Sequence, residues 1–386
     1  MEVIFINRRR YHGAKKICFL APSAYSILTQ NNLRNVIGPD IHQIILAKQL
    51  RDLGYDVAIL TYAEDGPKVE IIDGLQLIKI FGKKSNSSIG SISKIFRIWN
   101  SVRLANADIY YIRGAMLGVV SPLCRLLGKK VIYSIASDAL VDRDLITRKI
   151  KEFDQSWLNS INIGNWVDIK MSNVIIVQSS YQKDLLYRNY NKESVLIKTP
   201  YPIPDKNVIH KSKPLQILWV GSMAEVKQPE LFLDLAKRFP EANFCMIGGH
   251  ANNQEYYDNI KQISTEISNL DFLGVVPYNE IDKYFCDASI LINTSLFEGY
   301  PHAFIQAWAY WTPVISLHCN PDNILSRYDI GIHSKTYEQL VEDLSDLIKN
   351  KQRREELAKN GRNYIEDEHD IGKIIWKYIS LFETLG

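Results

Sequence analysis

"SLFEGYPHAFIQAWAYWTPVIS", residues 295–316, decides how this chain folds. An apolar run, Ile290, Leu291 and Ile292, leads into it and reads as a buried strand. A lone carboxylate, Glu298, follows, then Gly299, then Pro301, which suits a first helical turn. The predicted helix is apolar through Phe304, Ile305 and Ala307, yet it carries Gln306 eight positions after Glu298. A second apolar strand, TPVIS (312–316), comes next. Strand, loop, helix and strand in succession predict a parallel βαβ unit.

Working outward, the same alternation fills the chain. Strands are predicted in KICFLAP (16–22), DVAILTY (56–62), LQLIKIF (75–81), ADIYYIR (107–113), KKVIYSIAS (129–137), NVIIVQS (173–179) and SVLIK (194–198). Gly38, Pro39 and Asp40 open an amphipathic helix, and KKSNSSIGS (83–91) reads as a loop. TPYPIPD (199–205) then breaks the pattern, because three prolines hold it extended. The alternation restarts in LQILWVG (215–221), ANFCMIGG (242–249), LDFLGVV (270–276) and ASILINT (288–294). Continuous Val/Ile/Leu runs predict parallel sheets covered on both faces. The expected fold is therefore α/β, with two doubly wound Rossmann-like domains facing each other across a cleft. Expected boundaries are 1–203, 204–369 and a final helix, 370–386, packing back toward the first domain.

Composition agrees with a globular chain of more than one core: 386 residues, 46% hydrophobic and 23% charged. No apolar run is long enough to span a bilayer, and the basic N-terminal stretch does not read as a secretory signal. Five scattered cysteines with no CxxC pair read as reduced, buried thiols in a cytoplasmic protein. Residues 1–200 carry +11 and the remainder −8, so the first half is the one to face something anionic.

In an open parallel sheet, ligands bind outside the carboxyl ends of the strands. Gly221 ends one such strand and Lys227 lies six residues on, at a helix start, a combination that suits a diphosphate. GxxxxGK[ST] is absent, and a glycine with a nearby lysine is more often a turn with a surface cation. The first-turn N–H groups near His302 and Ala303 lack intrahelical partners and attract anions. Glu298 would be repelled by a phosphate there, so its expected partners are sugar hydroxyls. Gln306, with one acceptor and two donors, suits a ribose diol.

These residues resemble glycosyltransferase family 4, enzymes of the GT-B fold. The resemblance is specific over residues 215–320 and weak in the first half. It rests on Glu298-Gly299-Tyr300-Pro301, then Gln306-Ala307-Trp308-Ala309, then Pro313-Val314-Ile315. It rests also on Gly221-Ser222 with Lys227, and on Phe272-Leu273-Gly274 near the nucleobase pocket. Two departures stand out: Ser222 replaces the family's Arg, and Gln306 its second Glu. The resemblance implies a metal-independent, retaining hexosyltransferase that needs no cofactor. It would move a sugar from a nucleotide-diphosphate donor, such as a UDP-sugar, to a saccharide or lipid-linked glycan. Bacterial polysaccharide biosynthesis is the expected setting. It implies donor contacts from Gly221, Ser222, Lys227, Gly274, Glu298, Gly299, Tyr300, Pro301, His302, Ala303 and Gln306, with Glu298 and Lys227 catalytic.

On the facing wall, Gly38 resembles the family's glycine at the start of the first long helix. Where the family often has a histidine after the fifth strand, this chain reads Ser134-Ile135-Ala136-Ser137-Asp138, so Asp138 is the substitute. Arg113 points to the same cleft and is expected to hold acceptor or phosphate; an ion pair at a strand end explains it equally well. Asp142-Arg143-Asp144 lies in a predicted helix and reads as surface charge. The histidines other than His302 show no pairing and read as solvated or capping, and no metal-ligand spacing appears. No partner nucleic acid is expected. The basic clusters Arg8-Arg9-Arg10, Lys15-Lys16, Lys83-Lys84 and Lys129-Lys130 suggest peripheral contact with an anionic, inner membrane face. A nucleotide-sugar epimerase or a non-catalytic nucleotide-sugar-binding subunit would share this plan. A dinucleotide oxidoreductase would not, because no GxGxxG follows the first strand.

Overall fold

The computed structural model describes residues 15–30, 38–63, 66–80, 88–114, 118–142, 155–205, 211, 215–251 and 253–385. Its first sheet holds β1 (Ile17–Leu20), β2 (Val57–Tyr62), β3 (Val69–Ile72), β4 (Leu75–Ile80), β5 (Ile109–Arg113), β6 (Lys130–Ser134), β7 (Val174–Val177) and β8 (Val195–Leu196). Their order is β3-β4-β2-β1-β5-β6-β7-β8, parallel except for β3. The second sheet, all parallel, runs β11 (Leu270–Gly274), β10 (Asn243–Ile247), β9 (Gln216–Val220), β12 (Ile290–Asn293), β13 (Val314–Ser316) and β14 (Gly331–His333). The expected architecture of two doubly wound units is what the structure has.

Two strands escaped the sequence reading. β3 forms a hairpin with β4 through Asp73 and Gly74, both at positive φ. It is an edge strand with Ile71 exposed, so its apolar pattern is incomplete. β14 has only three residues, too few to show a period. The loop predicted at 83–91 also gives way in part: a helix, Ser88–Ala105, begins within it, and residues 83–87 lie outside the described residues.

Buried apolar strands explain the layers. Ile109, Tyr110, Tyr111 and Ile112 are fully buried, so β5 needs cover on both faces. The helix Gly38–Asp52 covers one face, and Ser88–Ala105, Val120–Leu126 and Gln155–Met171 the other. The last helix, Ile371–Thr384, packs on Gly38–Asp52. The chain crosses between the sheets twice, and the crossings touch: Tyr201 N–H donates to His369 O (2.8 Å), and Ile371 N–H to Tyr201 O (3.1 Å). Among the parallel strands of each sheet the order reverses at one point, at β1/β5 and at β9/β12. These are the places where such sheets open a crevice at their carboxyl ends.

Candidate functional site

On the second sheet, two loops leave β9 and β12 side by side. A short turn, Glu225–Lys227, follows β9, and Gln228, in the left-handed region, turns the chain into the helix Pro229–Arg238. Three bonds stitch the loops together. Thr294 Oγ1 donates to Lys227 O (2.6 Å) and accepts from Trp219 Nε1 (2.9 Å), and Leu296 N–H donates to Val226 O (2.9 Å). Lys227 is thereby carried to Glu298, and its ammonium pairs with that carboxylate. Ser295 Oγ donates to the same carboxylate (2.8 Å). Both side chains of the pair keep about a fifth of their surface exposed (21% and 20%). The sequence reading aimed Lys227 at phosphate and Glu298 at sugar hydroxyls. Here they hold each other, so an arriving ligand must share or replace that contact.

Gly248 permits the floor of this crevice. Its φ is +157°, and a Cβ there would fall 1.7 Å from Gly221 O. Gly221 N–H in turn donates to Ile247 O (3.0 Å). The sequence reading left Gly248 unremarked as part of a strand end; the Gly248-Gly249 pair after β10 was the available signal. Gly274 ends β11 nearby, and Gly248 N–H donates to Gly274 O (2.8 Å). Ser222 is exposed at the mouth.

Gly299 brings the two walls into contact. A Cβ on it would sit 2.7 Å from Ala136 O and 2.8 Å from Ser137 Cα, both on the first wall. Pro301 caps rather than enters the helix His302–Ala309, with φ −60° and ψ 119°. His302 and Ala303 are half-buried at its start. Gln306 is 3% exposed and lies beside the Tyr201 hydroxyl, while its Nε2 has no protein partner. Tyr300 corrects an expectation. Its ring is buried, and its hydroxyl shares hydrogen bonds with Tyr364 Oη (2.9 Å) and His369 Nε2 (3.0 Å). It therefore anchors the loop to the helix Lys351–Glu368 instead of facing the donor crevice.

The first wall is built from separate elements. Asp138 opens a short turn after β6 and accepts from Gln182 Nε2 (2.9 Å). Burial pushes its carboxyl up to about 7; Gln182 opposes the rise, and the charges of Asp142, Asp322 and Glu298 add to it. Arg113 is buried and donates to Ser134 Oγ (2.8 Å); among the described residues it has no carboxylate partner, so the ion-pair alternative falls. Gly38 starts its helix opposite His302: a Cβ added to it would lie 4.0 Å from His302 Cβ.

Three other readings change. Asp142 is buried and accepts from Tyr181 Oη (2.6 Å), so it is not surface charge; Arg143 and Asp144 lie outside the described residues. His42 and His369 are buried, not solvated. His42 Nε2 meets Tyr111 Oη (3.3 Å) and Tyr378 Oη (3.4 Å), and His369 Nδ1 meets Thr199 O (2.7 Å). His12, His210, Arg8, Arg9, Arg10, Lys83 and Lys84 lie outside the described residues. An unforeseen residue, Asp322, spans the walls: its carboxylate accepts from Ser180 N–H (2.8 Å) and Tyr181 N–H (3.1 Å), at the start of the helix Ser180–Tyr190.

With this geometry in view, residues 203–364 match the family described as Glycosyl transferases group 1. An uncharacterized glycosyltransferase of Haemophilus influenzae is 25% identical over 229 residues, 56% of this chain and 64% of that protein, less than two thirds of its length. A sucrose-phosphate synthase from Thermosynechococcus elongatus superposes with a TM-score of 0.77 at 14% identity, covering 96% of this chain and 99% of the other. Anabaena HepE, solved in complex with UDP-glucose, gives 0.72 at 15% identity over 96% and 100%. The chain thus has the GT-B fold of solved glycosyltransferases, and residues 203–364, less than half of it, match the glycosyl transferases group 1 family.

Proposed function

We propose that this protein is a glycosyltransferase of family 4. In this reading the second sheet binds a nucleotide-diphosphate sugar, with a UDP-sugar as the first candidate. The first sheet binds a saccharide or lipid-linked acceptor. One observation carries the reading: Lys227 and Glu298 pair at the carboxyl ends of β9 and β12, beside the start of the helix His302–Ala309. A departing diphosphate needs positive charge placed in advance. Lys227 and the helix start supply it, and Glu298, anchored by Ser295, orients the sugar. Gln306 offers its unpartnered amide to the ribose. Transfer is metal-independent and retains anomeric configuration, as the family resemblance implies.

The setting is polysaccharide biosynthesis at the inner face of a membrane, with the first unit in peripheral contact. Among the described residues no helix is long and apolar enough to cross a bilayer. The outer helices of the first sheet support the contact. Ile95, Phe96 and Leu104 on Ser88–Ala105, and Ile163 and Trp166 on Gln155–Met171, are exposed beside Arg103, Arg125 and Lys170. The one acidic residue on these helices, Asp168, is buried against Ser121. Exposed apolar side chains on helices that also carry cations fit an anionic lipid surface.

Thermal-shift screening with UDP-, GDP-, ADP- and TDP-sugars, with and without EDTA, identifies the donor. NMR of the product then reads its anomeric configuration. An epimer formed without acceptor, or binding without turnover across acceptors, would overturn the transferase reading. Cosedimentation with phosphatidylglycerol vesicles tests the membrane contact: Phe96→Ser with Trp166→Ser should abolish it, and wild-type binding unaffected by salt would refute it.

A further inference from the structure

We propose that Arg113, with His42 and His302 beside it, forms a binding site for an oxyanion, a phosphate or a carboxylate, carried by the acceptor. The assignment to the acceptor rests on the glycosyltransferase reading above; the oxyanion site itself does not.

Side chains alternate along a strand, so Tyr111 and Arg113 of β5 share one face. The Tyr111 hydroxyl meets His42, which places the helix Gly38–Asp52 over that face. Gly38 lies one turn before His42 on the same side of its helix. Gly38 also faces His302, across the gap between the sheets. The end of β5 and two helix starts therefore converge on one spot.

The polar groups gathered there are unfinished. Arg113 is 8% exposed, and its Nε has no partner among the described residues. Among the described residues His42 Nδ1 and His302 Nε2 are buried without partners, as is Gln306 Nε2 one turn beyond His302. A buried charge is costly unless it is paired. The nearest candidate on the same helix start, Asp40, is already committed: it accepts from Ser23 N–H (2.6 Å) and Ser23 Oγ (2.5 Å). A guanidinium only donates, and its planar fork matches the oxygens of a phosphate or carboxylate. On the opposite wall Lys227 already has Glu298, whereas Arg113 has no carboxylate partner among the described residues. Arg113 ends a strand of the first sheet and His42 lies on a helix covering it, the side the proposed function gives to the acceptor, which selects the acceptor as the source.

Inorganic phosphate, UDP and the variants Arg113→Gln and Arg113→Lys test this by melting temperature and isothermal titration. Phosphate should raise the melting temperature of the wild type and leave Arg113→Gln unmoved, with affinity lower by about 30-fold or more. Arg113→Lys, which keeps charge and loses the fork, should fall between them. In anion-free buffer Arg113→Gln should melt no lower than wild type, because an uncompensated charge has been removed. A clearly lower melting temperature there, with an unchanged response to phosphate, would make Arg113 structural and overturn the site. Saturating UDP separates the sources. If wild type still binds phosphate and Arg113→Gln still binds UDP normally, the acceptor assignment stands. If Arg113→Gln weakens UDP as much as phosphate, the oxyanion is the donor's and the assignment falls. A protein that binds phosphate through Arg113 but no nucleotide sugar would refute the transferase reading and leave the oxyanion site standing.

Discussion

Two clusters in the crevice are built in opposite ways. On the second sheet, Lys227, Ser295 and Glu298 are paired among themselves, and Thr294 and Trp219 brace them from behind. Where the first wall meets the helix start of the second, Arg113, His42, His302 and Gln306 keep polar atoms without partners among the described residues. A cluster complete in itself binds by exchanging contacts it already has, and its geometry is set before the ligand arrives. A cluster with open donors gains contacts outright, so its strength depends on what fills it.

The sharpest way to break this contrast is to remove the cation of the finished cluster. Lys227→Ala should lower kcat by about 10²-fold or more, the size of effect seen when a charge-stabilising donor is lost. Unchanged kcat would take Lys227 out of the reaction. Glu298→Gln comes next. It should cut transfer by about tenfold or more while nucleoside diphosphate binding stays near normal. The double variant should be little worse than Lys227→Ala alone, because the two act as a unit. Losses that multiply instead would show two independent groups.

Gln306 tests whether the finished cluster extends to the nucleoside. Gln306→Ala removes a neutral hydrogen bond, so donor KM should rise by about two- to tenfold with kcat nearly constant. Gln306→Glu should remain active. A fall in kcat alone, in initial-rate kinetics, would place Gln306 elsewhere than the ribose.

The smallest effect concerns the first wall. Asp138 titrates near 7 in the folded protein against an ordinary 3.8. The folded state therefore holds its proton longer than the unfolded one. The resulting stability is fully present below about pH 4 and is lost as pH climbs to about 7. Asp138→Asn should remove nearly one proton from the folding-linked uptake near pH 5.5, measured as the slope of unfolding free energy against pH. Asp40, pushed up to about 6 by burial, should keep a residual slope of the same sign. An unaltered slope would mean that Asp138 is not held protonated.

The same contrast explains what could be read in advance. Glu298 and Gln306 lie within one loop and helix, so local geometry alone puts them on one wall. Arg113, Gly38 and His302 meet only because β1 lies between β2 and β5 and the second unit folds over the first. No spacing in the chain carries that information. Tyr300 shows the limit within a motif: adjacency to Glu298 suggested a ligand contact, but Tyr364 and His369, distant in sequence, decide where its ring goes. β3 and β14 were lost for a simpler reason, since three or four residues at a sheet edge show too little period.

The paired crossings at Tyr201 and Asp370 have a mechanical consequence. Topologically, the stretch between the crossings at Tyr201 and Asp370 is an excursion: the chain leaves the first sheet, builds the second, and returns to lay Ile371–Thr384 on the helix that carries His42. Lys15 Nζ even donates to Phe382 O (3.0 Å), so both flanks of the excursion are fastened to the same body. Tension applied between Lys15 and Phe382 would load the first unit and leave the second slack. The two crossings are hydrogen-bonded to each other, so the excursion leaves and rejoins the first unit through one paired ribbon.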